Sequence, residues 1–128
     1  MADLPADVLR FARGECDPSR FPHREHVRMG FEMLRRHSFT ETALHTSRAL
    51  RMMAARAGRP EAYHETITVA FLSLIAERLQ SDRAGDFEHF EQVNPGLFDK
   101  RALARWYAPA RLASDAARRT FLLPDPAQ

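Results

Sequence analysis

At 128 residues, 45% hydrophobic and 28% charged, the chain has the size of one domain and ordinary globular composition, which excludes a disordered tail. Its formal net charge of +2 comes from eighteen Arg and a single Lys, Lys100, against 17 acidic residues. Arginines alternate with Glu and Asp along most of the chain, so it lacks the clustered basic footprint of a nucleic-acid-binding domain. A folded chain of this length buries roughly two thirds of its surface, enough for one core.

The start, Met1 to Pro5, has neither the basic flank nor the apolar stretch of a signal peptide. No apolar run approaches the ~20 residues that cross a bilayer. Cys16 is the only cysteine, which excludes an internal disulfide framework and a CxxC metal knuckle. The expectation is a soluble cytoplasmic protein with no membrane and no nucleic-acid partner.

Residues 1–20 read as an N-terminal segment peripheral to the domain, with Val8, Leu9 and Phe11 on a short helix. Pro18 and Pro22 make a loop. Over 23–37, Val27, Gly30, Phe31 and Leu34 recur at helical spacing, opposite Arg24, Glu25, Arg28 and Glu32. Thr40 is expected to cap a second helix, carried by Ala43, Leu44, Leu50 and Met53 to a stop at Gly58. Pro60 restarts the chain, and a third long helix is predicted over 61–79. Its middle, 69–76, is apolar nearly all round, the mark of a helix buried on most sides.

A break over 82–86 precedes a short segment with Phe87, Phe90 and Val93, ended by the turn signal Asn94-Pro95-Gly96. Asp99 is placed to cap a helix holding Leu103, Trp106 and Tyr107. Ser114 and Asp115 are placed to cap a last turn. No segment alternates with period two. The predicted fold is all-α over 1–128: three long helices plus several short ones, in a small bundle.

The histidines carry the chemistry. At ~100° per residue, His23 and His26 fall about 60° apart on the apolar face of the first long helix. Gly30, one turn on, leaves space beside the His26 ring. In the third helix His64 shares a stripe with Thr68, Phe71 and Ile75, and Glu65 lies on another apolar stripe. A buried carboxylate needs a partner: a cation, Arg78 or a histidine from a neighbouring helix. If the first and third helices run parallel, His23, His26 and His64 meet at one end of the bundle.

Three imidazoles with an open position suit zinc, and copper or iron accept similar ligands. Two histidines with Glu65 would match a non-haem iron set. Tyr63 and Thr68 then line the cavity, and Glu65 serves as ligand or general base. The spacing His23-Arg24-Glu25-His26 is not HExxH, and no phosphate-binding glycine loop or GxSxG elbow is present. The alternative is structural: His23 at a helix start, His26 bonded to a carbonyl, and His64 with Glu65 as an internal hydrogen-bonded pair. His37, His45 and His89 read as surface residues. Met29, Met33, Met52 and Met53 read as packing, as do Phe87, Phe90, Trp106, Tyr107 and Phe121. Cys16 reads as an inert thiol.

The segments Phe21-Pro22-His23-Arg24-Glu25-His26-Val27, Tyr63-His64-Glu65-Thr66-Ile67-Thr68, Asn94-Pro95-Gly96-Leu97 and Phe121-Leu122-Leu123-Pro124-Asp125 give the chain its resemblance. It is similar, from Phe21 to Asp125, to a family of small bacterial helical proteins with F-x-H-x-x-H, Y-H-E-T-x-T and F-x-x-P-D segments. The resemblance implies a compact helical domain and singles out His23, His26, His64 and Glu65. It implies no reaction.

The leading expectation is a small metalloenzyme, a hydrolase or oxygenase. His23, His26 and His64 would hold zinc, iron or copper, and Glu65, Tyr63 and Thr68 would serve a small-molecule substrate. The rival is a non-catalytic small-ligand-binding or protein-interaction domain whose polar cluster only organises the core. Apolar residues on the short helices leave a homodimer open.

Overall fold

Small polar side chains and prolines set where helices begin. In a computed structural model, which describes residues 3–81 and 85–126, the chain is all-α, with no strand among the described residues. The three long helices are α2 (His23–Leu34), α3 (Phe39–Arg56) and α4 (Glu65–Ser81), and α1 (Ala6–Ala12) precedes them. After them come α5 (Phe87–Val93), α6 (Pro109–Leu112) and α7 (Asp115–Arg119). Short 3-10 turns occupy Pro18–Arg20, Pro60–Ala62, Pro95–Phe98 and Ala102–Arg105. No helix among the described residues is long and apolar enough to cross a membrane.

Several boundaries differ from the sequence reading. Ser38, not Thr40, caps α3: its hydroxyl accepts the Glu41 N–H while the Glu41 carboxylate accepts the Ser38 N–H. That reciprocal box satisfies two donors that Thr40 would leave open. The start of α4 moves from 61 to 65, because 60–62 tighten into a 3-10 turn and Tyr63 is extended. Asp99 accepts the Arg101 N–H in a local turn, and 3-10 geometry replaces the helix expected there. A segment this short, cut by Pro109, gains too few hydrogen bonds to offset helix nucleation. Ser114 caps α7 through the Ala117 N–H. The break expected over 82–86 falls partly on 82–84, outside the described residues.

The core lies on both sides of α2. One face packs Val27, Phe31 and Leu34 against Leu72, Ile75 and Leu79 of α4, Phe87 and Phe90 of α5, and Leu97. The other packs Met29 and Met33 against Val8 and Phe11 of α1 and Ala49 and Met53 of α3. α1 is therefore part of the core rather than a fringe. Val8 and Phe11 are buried, and Arg28 ties α1 to α2 by bonding both Asp7 and Glu25. Met29, Met33 and Met53 are buried and Met52 is exposed, in keeping with methionine as filler.

Candidate functional site

α2 and α4 approach closely at Gly30, and a cavity lies beside that contact, lined by residues of both helices. A Cβ on Gly30 would lie 3.0 Å from both Ile75 Cδ1 and Leu72 Cδ2, so glycine is what lets the helices meet there. Gly30 serves this contact; it does not leave room beside His26. Toward their N-termini the rings of His23 and Phe71 stand between the helices, edge to face with centroids 4.8 Å apart. The space left is a cavity of about 580 Å³, in the ~300–1,000 Å³ range of small-molecule sites. Its floor is buried and includes Phe11, Val27, Met53, Leu72 and Ile75. Its rim is exposed and includes Pro18, His26, Ala57, Arg59, Ala62 and Lys100.

All three predicted histidines line this one cavity, each held differently. His23 opens α2, and its Nε2–H donates to the Leu97 carbonyl at 2.9 Å. His26 stacks edge to face on Phe21, centroids 4.7 Å apart, and Phe21 in turn stacks on Phe11 at 5.1 Å. Water reaches the His26 ring along the rim, while protein crowds it elsewhere. That desolvation, helped by repulsion from His23, pushes its pKa down to about 4 against a hydrogen bond to the Phe21 backbone. His26 is thus neutral at physiological pH.

His64 is fully committed to the backbone. It caps α4: its Nδ1 accepts the Ile67 N–H at 3.1 Å, and its carbonyl accepts the Thr68 N–H that begins the helix. Its Nε2–H donates to the Leu112 carbonyl at 2.7 Å. Both ring nitrogens are occupied, which leaves no lone pair for a metal in this arrangement. Among the described residues no group of three or more His, Cys, Asp or Glu is placed to hold a metal ion. His23 and His26 are the pair able to offer imidazole to something bound in the cavity.

Tyr63 and Thr68 also line the cavity, and Glu65 does not. The Tyr63 hydroxyl donates to the Glu65 carboxylate. Arg51 completes the group, its guanidinium 4.2 Å above the Tyr63 ring and 3.7 Å from Glu65 Oε1. Burial and the Glu65 bond push the Tyr63 pKa up to about 12, with Thr68 and Ser47 acting the other way. The phenol therefore keeps its proton at neutral pH and can donate only where Glu65 already accepts. The Thr68 hydroxyl donates to the His64 carbonyl at 2.8 Å.

Thr66 of the Y-H-E-T-x-T segment fastens the C-terminal segment of the chain. Buried Thr66 donates to the Thr120 carbonyl at 2.8 Å and accepts the Leu122 N–H at 3.1 Å. Tyr107 adds a bond to the Leu122 carbonyl at 2.7 Å. Asp125 accepts the Ala108 N–H and pairs with Arg111. Cys16 is half-buried, and burial raises its pKa, so it stays a thiol.

Sequence reasoning missed Arg59, Lys100, Phe11 and Phe21 as cavity residues. Lys100 stood out only as the single lysine, in a loop with no periodicity to orient it. Comparison with family models, curated proteins and solved structures finds no match.

Proposed function

We propose that this protein binds a small, largely apolar molecule in the cavity between α2, α3 and α4. The observation that carries this reading is the cavity itself: about 580 Å³, walled by apolar side chains from four helices, with a few polar groups among them. Small-molecule sites have this make-up. Phe11, Phe21 and Phe71 offer aromatic surface, and His23, His26 and Thr68 are polar groups that would orient a ligand. Water confined against such walls is poorly satisfied, so an apolar group that displaces it gains affinity.

Calorimetric titration with 4-phenylbutan-1-ol tests the reading. The wild type is expected to bind it, and Ala54→Phe, which puts a ring into the cavity wall, is expected to abolish binding. Failure of the wild type to bind would overturn the proposal, as would unchanged binding by Ala54→Phe.

A metal-dependent hydrolase or oxygenase built on His23, His26 and His64, with Glu65, Tyr63 and Thr68 around the substrate, is the second reading. What favours it is that three histidines distant in sequence share one cavity. What ranks it second is that His64 has both nitrogens bonded to backbone groups. Elemental analysis of untagged protein decides between them. Stoichiometric zinc, iron or copper that disappears in His64→Ala would put the metal reading first, and negligible metal in both would end it.

A further inference from the structure

The charges around the cavity are one-sided. Among the described residues no Asp or Glu lines it, although the chain has 17 of them. Most carboxylates next in sequence to lining residues are engaged by other groups; Glu61, beside Ala62, is exposed and, among the described residues, bonds only through its backbone carbonyl, to Arg118. Glu25 is held by Arg28, Glu65 by Tyr63 and Arg51, and Asp99 by Arg101. Asp17 is taken by the backbone and hydroxyl of Ser19.

Arg59 and Lys100, by contrast, stand on the exposed rim, and among the described residues neither forms an ion pair. The floor beneath them is apolar. Such a site attracts a molecule with two ends: an apolar body that gains by leaving water and a negative head that stays at the rim beside two cations that make no ion pair among the described residues. A cationic head would meet like charge there. An uncharged ligand would leave those cations unused.

We infer that the ligand is an amphiphilic carboxylate, its apolar body on the cavity floor and its carboxylate at the rim with Arg59 and Lys100. The inference rests on the small-molecule reading above and adds the charge and orientation of the ligand to it. Arginine offers a planar fork suited to a carboxylate, and lysine a mobile point charge. The two suit a head group that sits at the surface and keeps part of its hydration.

Three probes with the same body separate the possibilities: 4-phenylbutyrate, 4-phenylbutan-1-ol and 4-phenylbutylamine, titrated into the full chain at low salt. The acid is expected to bind roughly tenfold tighter than the alcohol, with the amine weakest. Added salt should erode only the acid's advantage, because exposed charges are screened. In the Arg59→Gln/Lys100→Gln double variant the acid-to-alcohol ratio should fall to about one.

Equal affinities for the three probes, or a double variant that keeps the acid preference, would overturn the charge assignment while leaving the pocket standing. Acid binding that survives Ala54→Phe would overturn it too, since the carboxylate would then rest on the surface. If none of the probes binds, the pocket reading falls and takes this inference with it.

Discussion

His64→Ala distinguishes a structural histidine from a ligand-holding one. The substitution removes the side-chain acceptor for the Ile67 N–H at the start of α4 and the donor to the Leu112 carbonyl. Loss of a helix cap costs about 1 kcal/mol, and a half-buried carbonyl stripped of its partner costs about another 1–2 kcal/mol. The sum is roughly 2–3 kcal/mol. For a chain of this size that lowers Tm by roughly 6–12 °C, measured by circular dichroism or calorimetry. The drop should be identical with and without a strong chelator. His64→Asn should recover about 1 kcal/mol, because asparagine is a good cap but too short to reach Leu112. A Tm within about 2 °C of wild type would refute the account. So would a difference that vanishes when metal is chelated, because the imidazole would then be acting through a bound ion.

Thr66→Val keeps the buried volume and deletes both bonds to the C-terminal segment. It should cost about 2 kcal/mol and speed amide exchange at Leu122, whereas Thr66→Ser should protect that amide nearly as well as wild type. Gly30→Val forces branched carbons against Leu72 and Ile75, where even a Cβ sits at 3.0 Å. Urea titration should show a loss of about 1–3 kcal/mol. Acidification should weaken the fold through His26. Its folded pKa, about 4, lies below the ordinary 6.5, so the unfolded chain takes up the proton first. This stability is complete above about pH 6.5 and is lost as pH falls toward 4. The loss is on the order of 1–2 kcal/mol, discounted because water reaches the ring. In paired urea titrations at pH 7 and 4.5, His26→Phe should lose less stability than wild type; an equal loss would remove His26 as the cause.

The three long helices were legible because each writes a 3.6-residue apolar stripe over many turns, and that stripe survives whatever packs against it. Their starts were less legible, since a capping box at Ser38 and Glu41 competes with a plausible cap two residues later. Only the actual path of the chain decides between them. The meeting of His23, His26 and His64 at one cavity was also within reach. All three fall near the starts of α2 and α4, and these two helices meet at Gly30, where their side chains permit contact. The burial of α1 was hidden for a simple reason: Val8 and Phe11 make too short a stripe to reveal that Met29, Met33 and Met53 wait to cover it.

What the sequence hid was the occupancy of each nitrogen. The carbonyls that take the protons of His23 and His64 belong to Leu97 and Leu112, 74 and 48 residues away, in segments whose backbone direction no side-chain pattern encodes. An inward histidine on an apolar face is equally consistent with a metal ligand and a hydrogen-bonded cap until those partners are known. Tyr63-His64-Glu65-Thr66 looked most like chemistry because it is dense in polar side chains at a buried helix start, and a buried helix start has open donors that must be satisfied. His64 and Thr66 answer that need, and they also bind the chain near Leu112, Thr120 and Leu122. Polar density there is explained by structure before function is invoked. The residues left for a ligand are the ones whose polar atoms the fold does not fully consume: the rings of His23 and His26, each with one backbone bond, and Arg59 and Lys100 at the rim.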